Sequence, residues 1–84
     1  MNIVIYVNYG DSQFNKDFKI ANELLKVHNV FFAINDIQLN DLYPKCDILV
    51  RGLSAKSKTF TNLNFYDLNE FTYLEDIKMF DIGN

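Results

Sequence analysis

Two unbroken runs of β-branched and aromatic residues flank a helix-length segment of periodic apolar residues, and this alternation constrains the chain more than any other feature. Asn2-Ile3-Val4-Ile5-Tyr6-Val7-Asn8 ends at Tyr9-Gly10-Asp11 and reads as a strand buried on both faces, as central parallel strands are. Phe14, Phe18, Ala21 and Leu25 then recur at helical spacing, with Ile20, Leu24 and Val27 widening the stripe. Asn15, Lys16, Lys19, Asn22, Glu23 and Lys26 take the other face. Asp11 or Ser12 is the expected acceptor for the first-turn amides, and His28-Asn29 the expected stop, with Asn in the left-handed region. Val30-Phe31-Phe32-Ala33-Ile34 repeats the buried-strand pattern, so a right-handed parallel crossover is expected between the two runs.

The same rhythm continues. Asp36 is a candidate cap for a short helix carrying Ile37, Leu39 and Leu42, which Pro44 closes. Cys46-Asp47-Ile48-Leu49-Val50-Arg51 supplies a third strand ending at Gly52, and residues 1–52 thus form β-α-β-α-β, half of a doubly wound sheet. Leu53 to Asn64 reads as a loop pinned by Phe60, Leu63 to Leu68 as a fourth, edge strand, and Leu68 to Leu74 as a helix with Phe71 and Leu74 inward. Ile77, Met79, Phe80 and Ile82 form a last strand or a docking tail. The expected fold is α/β: a small, three-to-five-stranded, mainly parallel sheet of βαβ, half-Rossmann topology with helices packed on it, in one domain over residues 1–84.

Composition narrows the chemistry. Among 84 residues there is one cysteine and one histidine, so neither an internal disulfide nor a four-ligand zinc site is available, and no metal or cofactor is expected. A net charge of −3 lacks the cationic excess of a general nucleic-acid binder. No apolar run reaches membrane-spanning length, and no basic region precedes Ile3-Val4-Ile5, so a cytoplasmic protein is expected. Eleven Asn against three Ala point to AT-rich codons, as in an AT-rich bacterium or its mobile elements.

Open parallel sheets bind ligands beyond the carboxyl ends of their strands, which selects the loops after the first and third strands. The binding candidates are Tyr9, Gly10, Asp11 and Ser12 in the first, and Arg51, Gly52, Ser54, Lys56, Ser57 and Lys58 in the second. The first loop runs into a helix N-terminus, where free amides favour an anion, but it has a single glycine and neither a dinucleotide fingerprint nor a P-loop. The second is the only locally cationic stretch, suited to a phosphate or an acidic partner surface. The structural alternatives are a capping turn and a solvated loop. No catalytic residue is assigned: His28 and Cys46 fall at the other end of the strands, where nearness would permit a pair, yet no third, orienting group accompanies them. Five tyrosines exceed what so small a core can absorb with hydroxyls satisfied, so several tips should reach the surface.

Over Ile20-Ala21-Asn22-Glu23-Leu24-Leu25-Lys26-Val27-His28-Asn29-Val30-Phe31-Phe32-Ala33, with Cys46-Asp47-Ile48-Leu49-Val50 as a third strand, the chain resembles the N-terminal Rossmann-like half of two-domain (GT-B type) bacterial glycosyltransferases. The resemblance covers residues 1–54. It implies a domain that serves an acceptor or a nucleotide-sugar. The family's glycine-rich loop after the first strand is not reproduced by Asn8 to Asn15, and its nucleotide-binding C-terminal domain has no counterpart here, so no catalytic residue carries over.

The expectation is therefore a non-catalytic protein-interaction module with another protein as its partner. A phage or mobile-element inhibitor of a host factor, such as a defence nuclease, fits the size and mild acidity. The alternative is a truncated or subunit-like glycosyltransferase N-domain; a third is a free-standing small-ligand binder.

Overall fold

A computed structural model describes residues 1–75, and the expected terminal element around Ile77 to Ile82 lies outside the described residues. β1 (Asn2–Tyr6) is the hub: Ile3, Val4 and Ile5 are fully buried because a parallel strand covers each side and a helical layer each face. β2 (Asn29–Ala33) and β3 (Ile48–Arg51) flank it, and β4 (Tyr66–Asp67) joins β3, giving the order β2-β1-β3-β4 with every pairing parallel. Three helices, α1 (Phe14–Leu24), α2 (Asp36–Leu42) and α3 (Leu68–Leu74), pack on this sheet in the expected α/β, half-Rossmann arrangement. One face packs Ile3, Ile5, Val7 and Val50 against Ile20, Ala21 and Leu24 of α1 and Leu68 and Phe71 of α3. The other packs Val4, Ala33 and Leu49 against Leu39 of α2, with Tyr6, Phe60 and Phe65 at its rim. Phe60 pins its loop as expected, its ring edge-on to Tyr6 and Phe65.

Several local expectations are corrected. Among the described residues β2 is an edge strand, not one buried on both faces: Phe31 is 45% exposed, because the crossover places β3 rather than β2 on the inner side of the sheet. The inward face of α1 is Asp17, Ile20, Ala21 and Leu24, while Phe18 and Leu25 of the expected stripe are half exposed. The helix winds down through turns that bond Val27 and His28 to the Leu24 carbonyl, and Asn29 begins β2 instead of adopting a left-handed stop. Asx geometry at Asp11 holds the entry to α1, its Oδ1 accepting from Gln13 N–H at 2.8 Å, and Ser12 makes no cap.

Asn35 rather than Asp36 caps α2, accepting from Gln38 N–H while the Gln38 side chain accepts from Ile34 N–H, a reciprocal arrangement like a capping box. Ile37 of α2 and Leu74 of α3 point outward, and Leu68 and Thr72 join Phe71 in the core. Among the described residues the fourth strand is an edge strand as expected, but it is only two residues long, and the chain passes from Asp67, which Arg51 holds, directly into α3. No helix among the described residues is long and apolar enough to cross a membrane.

Candidate functional site

The two loops singled out from the sequence do meet at the carboxyl ends of β1 and β3, and a buried carboxylate joins them. Asp17 extends from the inner face of α1 toward a single turn of 3-10 helix, Leu53–Ala55, whose first amides have no partner of their own. Its Oδ1 accepts from Leu53 N–H at 2.7 Å, and its Oδ2 accepts from Ser54 N–H at 3.0 Å and from the Ser54 hydroxyl at 2.5 Å. Ser54 Oγ in turn accepts from Asn8 N–H at 2.8 Å, bridging to the first loop. Asp17 thus caps a helix distant in sequence, and the turn's dipole and three donors compensate a charge removed from water. Gly52 is required beside it: a Cβ there would lie 2.7 Å from Asp17 Oδ2 and 2.9 Å from the Tyr6 carbonyl oxygen.

This arrangement reassigns much of the expected binding set. Gly52 and Ser54 are buried, and the Asp17 carboxylate accepts from the donors of Leu53 and Ser54 that an incoming anion would need. In the first loop Asn8 Oδ1 accepts from Gly10 N–H and Asp11 closes on Gln13 and Phe14, so the amides available to an anion are taken up locally, leaving Tyr9 and Ser12 exposed.

The basic stretch is likewise mostly engaged. Arg51 directs Nε and Nη2 to Asp67 Oδ1, each at 2.7 Å, and Nη1 to the Lys58 carbonyl at 2.8 Å, with its guanidinium 4.9 Å from the Phe65 ring centroid. Lys58 pairs with Asp36 at the start of α2 and lies over the Tyr6 ring, 5.0 Å from its centroid. Lys56 and Ser57 stay exposed. Two of the three cations therefore bind the loop to the sheet and to α2 instead of presenting a free anion site.

The Lys58 hydrogen bond holds the Asp36 carboxyl below its usual value, and the same bond holds the Lys58 ammonium above its own. A depressed carboxylate stabilises the fold above its ordinary value near 3.8 and ceases to do so as pH falls through the lowered one. A raised ammonium stabilises below its ordinary value near 10.5 and ceases to do so as pH rises through the raised one. The melting difference between wild type and Lys58→Met is expected to be level from about pH 5 to 9 and to shrink toward both extremes. Both groups are close to solvent, so the effect is small and salt should reduce it.

Among the described residues, two clefts border β3 and β4. One, of about 430 Å³, is lined by Arg51, Gly52, Leu53, Lys56, Asp67 and Glu70 among others, and sits where open parallel sheets take ligands. Its two acids oppose an anion, and its arginine is committed to one of them. The other, of about 590 Å³, lies at the opposite end of β3, between Tyr43, Cys46, Asp47, Asn64, Phe65 and Tyr66.

Cys46 is half-buried there, and burial pushes its thiol above the usual value, with the Asp47 charge adding to the shift. It is therefore protonated near neutrality. Alkylation by iodoacetamide at pH 7.5 should proceed more slowly than for free cysteine and accelerate only well above pH 9. His28 does not pair with it. Its Nδ1 stands 3.4 Å from the Met1 amino group and its Nε2 3.6 Å from Glu75 Oε1, whereas Cys46 packs with the α2-side cluster. No cluster that could hold a metal occurs among the described residues.

Asp17 is the residue that sequence reasoning overlooked, although it lies three and four positions before Ile20 and Ala21 and so falls on the apolar face of its helix. A lone acid among core positions marks a buried acceptor in search of donors. What faces outward instead is apolar. Tyr73 is 85% and Leu74 64% exposed on the outer side of α3, and Phe18 on α1, Leu25 just after it and Phe31 on β2 are half exposed. The chain matches no known protein family, no curated protein and no solved structure.

Proposed function

We propose that this chain is a non-catalytic protein-interaction module whose contact surface is the outer face of α3. The observation that carries this reading is the exposure of Tyr73 and Leu74 on a seven-residue helix beside Glu70, where a solvated helix would show polar side chains. Tyrosine and leucine provide an apolar anchor, and Glu70 on a molecule of net charge −3 favours a partner with a basic rim. A groove that binds nucleic acid has that chemistry, which is consistent with a phage-encoded or mobile-element inhibitor occluding a host defence nuclease.

Immobilised wild type should retain a protein from host lysate at physiological salt, and Tyr73→Ala with Leu74→Ala should lose it while keeping its circular dichroism. Retention of no macromolecule by wild type, or equal retention by the double variant, rejects this contact. A second reading, a subunit-like glycosyltransferase N-domain, has only the position of the 430 Å³ cleft at the carboxyl ends of β3 and β4 in its favour, since Asp67 and Glu70 in its lining oppose the phosphates of a nucleotide-sugar. It requires that a nucleotide-sugar raise the melting temperature, since a ligand at a hundred times its dissociation constant adds ~2.7 kcal/mol.

A further inference from the structure

The cleft of about 590 Å³ at the amino end of β3 has a lining that selects its ligand. Its volume is in the range of small-molecule sites and exceeds what a bare ion needs. Tyr43, Cys46, Asp47, Asn64, Phe65 and Tyr66 line it, and among the described residues no lysine, arginine or histidine does. Each class of ligand other than an organic cation meets an obstacle there. An anion would face Asp47 with no base to answer it. A metal ion would find one carboxylate and a protonated thiol, short of the roughly six oxygens that a hard cation takes. A neutral apolar molecule would cover Asp47 and strip its water without replacing it. An ammonium or guanidinium answers the charge and lays its carbon surface against aromatic rings.

The acid is held in place for this. Asp47 N–H donates to the Asn2 carbonyl at 2.8 Å, and Asp47 Oδ2 accepts from Asn2 N–H at 2.7 Å. Asp36 and Asp67 are neutralised by Lys58 and Arg51, whereas Asp47 forms no ion pair among the described residues. Its field reaches the rest of the lining, since after burial the Asp47 charge is what raises the Cys46 thiol. The Tyr43 hydroxyl accepts from Asn64 N–H at 3.4 Å, tying the two banks of the cleft together. The Phe65 ring already has the Arg51 guanidinium 4.9 Å from its centroid, so the ring surface for a ligand comes from Tyr43 and the half-exposed Tyr66.

We infer that this cleft binds a small organic cation, an alkylated ammonium or a guanidinium, with Asp47 as its counter-ion and Tyr43 and Tyr66 as its aromatic walls. Tyr73 and Leu74 lie outside the lining, so the cation site and the α3 contact can fail separately.

Choline is the probe, and 3,3-dimethylbutan-1-ol, which has the same shape without the charge, is the control. Cys46 serves as reporter. At pH 9.5 and constant ionic strength, choline should slow iodoacetamide alkylation of the full chain about threefold or more, with a midpoint of roughly 1–10 mM. The alcohol should leave the rate unchanged. Asp47→Asn should raise the choline midpoint about tenfold or more. Its rate is compared with its own rate without ligand, because loss of the Asp47 charge alters the thiol itself. If that variant misfolds, a wild-type measurement carries the test: saturating the tyrosine ring protons should attenuate the methyl signal of choline and not that of the alcohol.

Choline that neither protects Cys46 nor receives saturation overturns the proposal, including where residues 76–84 already fill the cleft. Equal action of the alcohol overturns it too, as does a folded Asp47→Asn variant that binds choline as tightly as wild type.

Discussion

Asp17→Ala is expected to destabilise the fold by about 3–5 kcal/mol, since each buried donor left without an acceptor costs roughly 1–3 kcal/mol. Leu53 N–H, Ser54 N–H and the Ser54 hydroxyl all lose their acceptor in that variant, and the void admits at best a poorly placed water. For a chain of 84 residues, whose whole stability is of order 4–13 kcal/mol, the loss is a large fraction. A fall in melting temperature of roughly 15–30 °C should follow. Asp17→Asn keeps one acceptor oxygen but turns an amide N–H₂ toward donors, and about 2 kcal/mol is expected. Chemical denaturation read by circular dichroism measures both, and a loss under 1 kcal/mol for Asp17→Ala would mean that the carboxylate does not cap the 53–55 turn. The damage should also be local at first: hydrogen exchange at Leu53 and Ser54 should rise before that of β1.

Gly52→Ala should cost about 2–3 kcal/mol, the range for forcing a methyl group into a filled interior. The reason is steric and not conformational, since Gly52 has φ −66° and ψ 161°, extended backbone open to any residue. The methyl would press on Asp17 Oδ2 and on the Tyr6 carbonyl oxygen that accepts from Gly52 N–H at 2.8 Å. The first neighbour is a side chain and the second is backbone, which makes the two mutations interdependent. In the Asp17→Ala background one of the two clashes is gone, so Gly52→Ala should cost measurably less there, by at least ~0.5 kcal/mol. Additive losses would show that the Tyr6 carbonyl alone excludes the side chain.

These two residues also explain why the expected binding loops do not form a ready anion site. In a nucleotide-binding sheet, glycine after a strand allows a phosphate to approach the backbone and the following turn's amides. Here Gly52 allows the same close approach and the amides of Leu53 and Ser54 are presented in the same way, but the acceptor is the carboxylate of Asp17 on the neighbouring helix. The chain supplies its own anion. A cationic cluster read from sequence undergoes a comparable change, since Arg51 and Lys58 find Asp67 and Asp36, acids 16 and 22 residues away.

The sequence by itself determined the alternation of strands and helices, the parallel crossover and the packing role of Phe60, because apolar periodicity is imposed locally by helix and strand geometry and survives in one dimension. Counting alone also shows that one histidine and one cysteine cannot supply the four ligands of a structural zinc site. The tertiary structure alone decided which strands are inner and which are edges, and hence that Phe31 faces outward. It also decided which flank of α1 is buried and that Asp17, Gly52 and Ser54 are partners. Such choices depend on contacts between residues far apart in the chain, where a helix rotation of one position exchanges Asp17 for Phe18, and no local pattern records it.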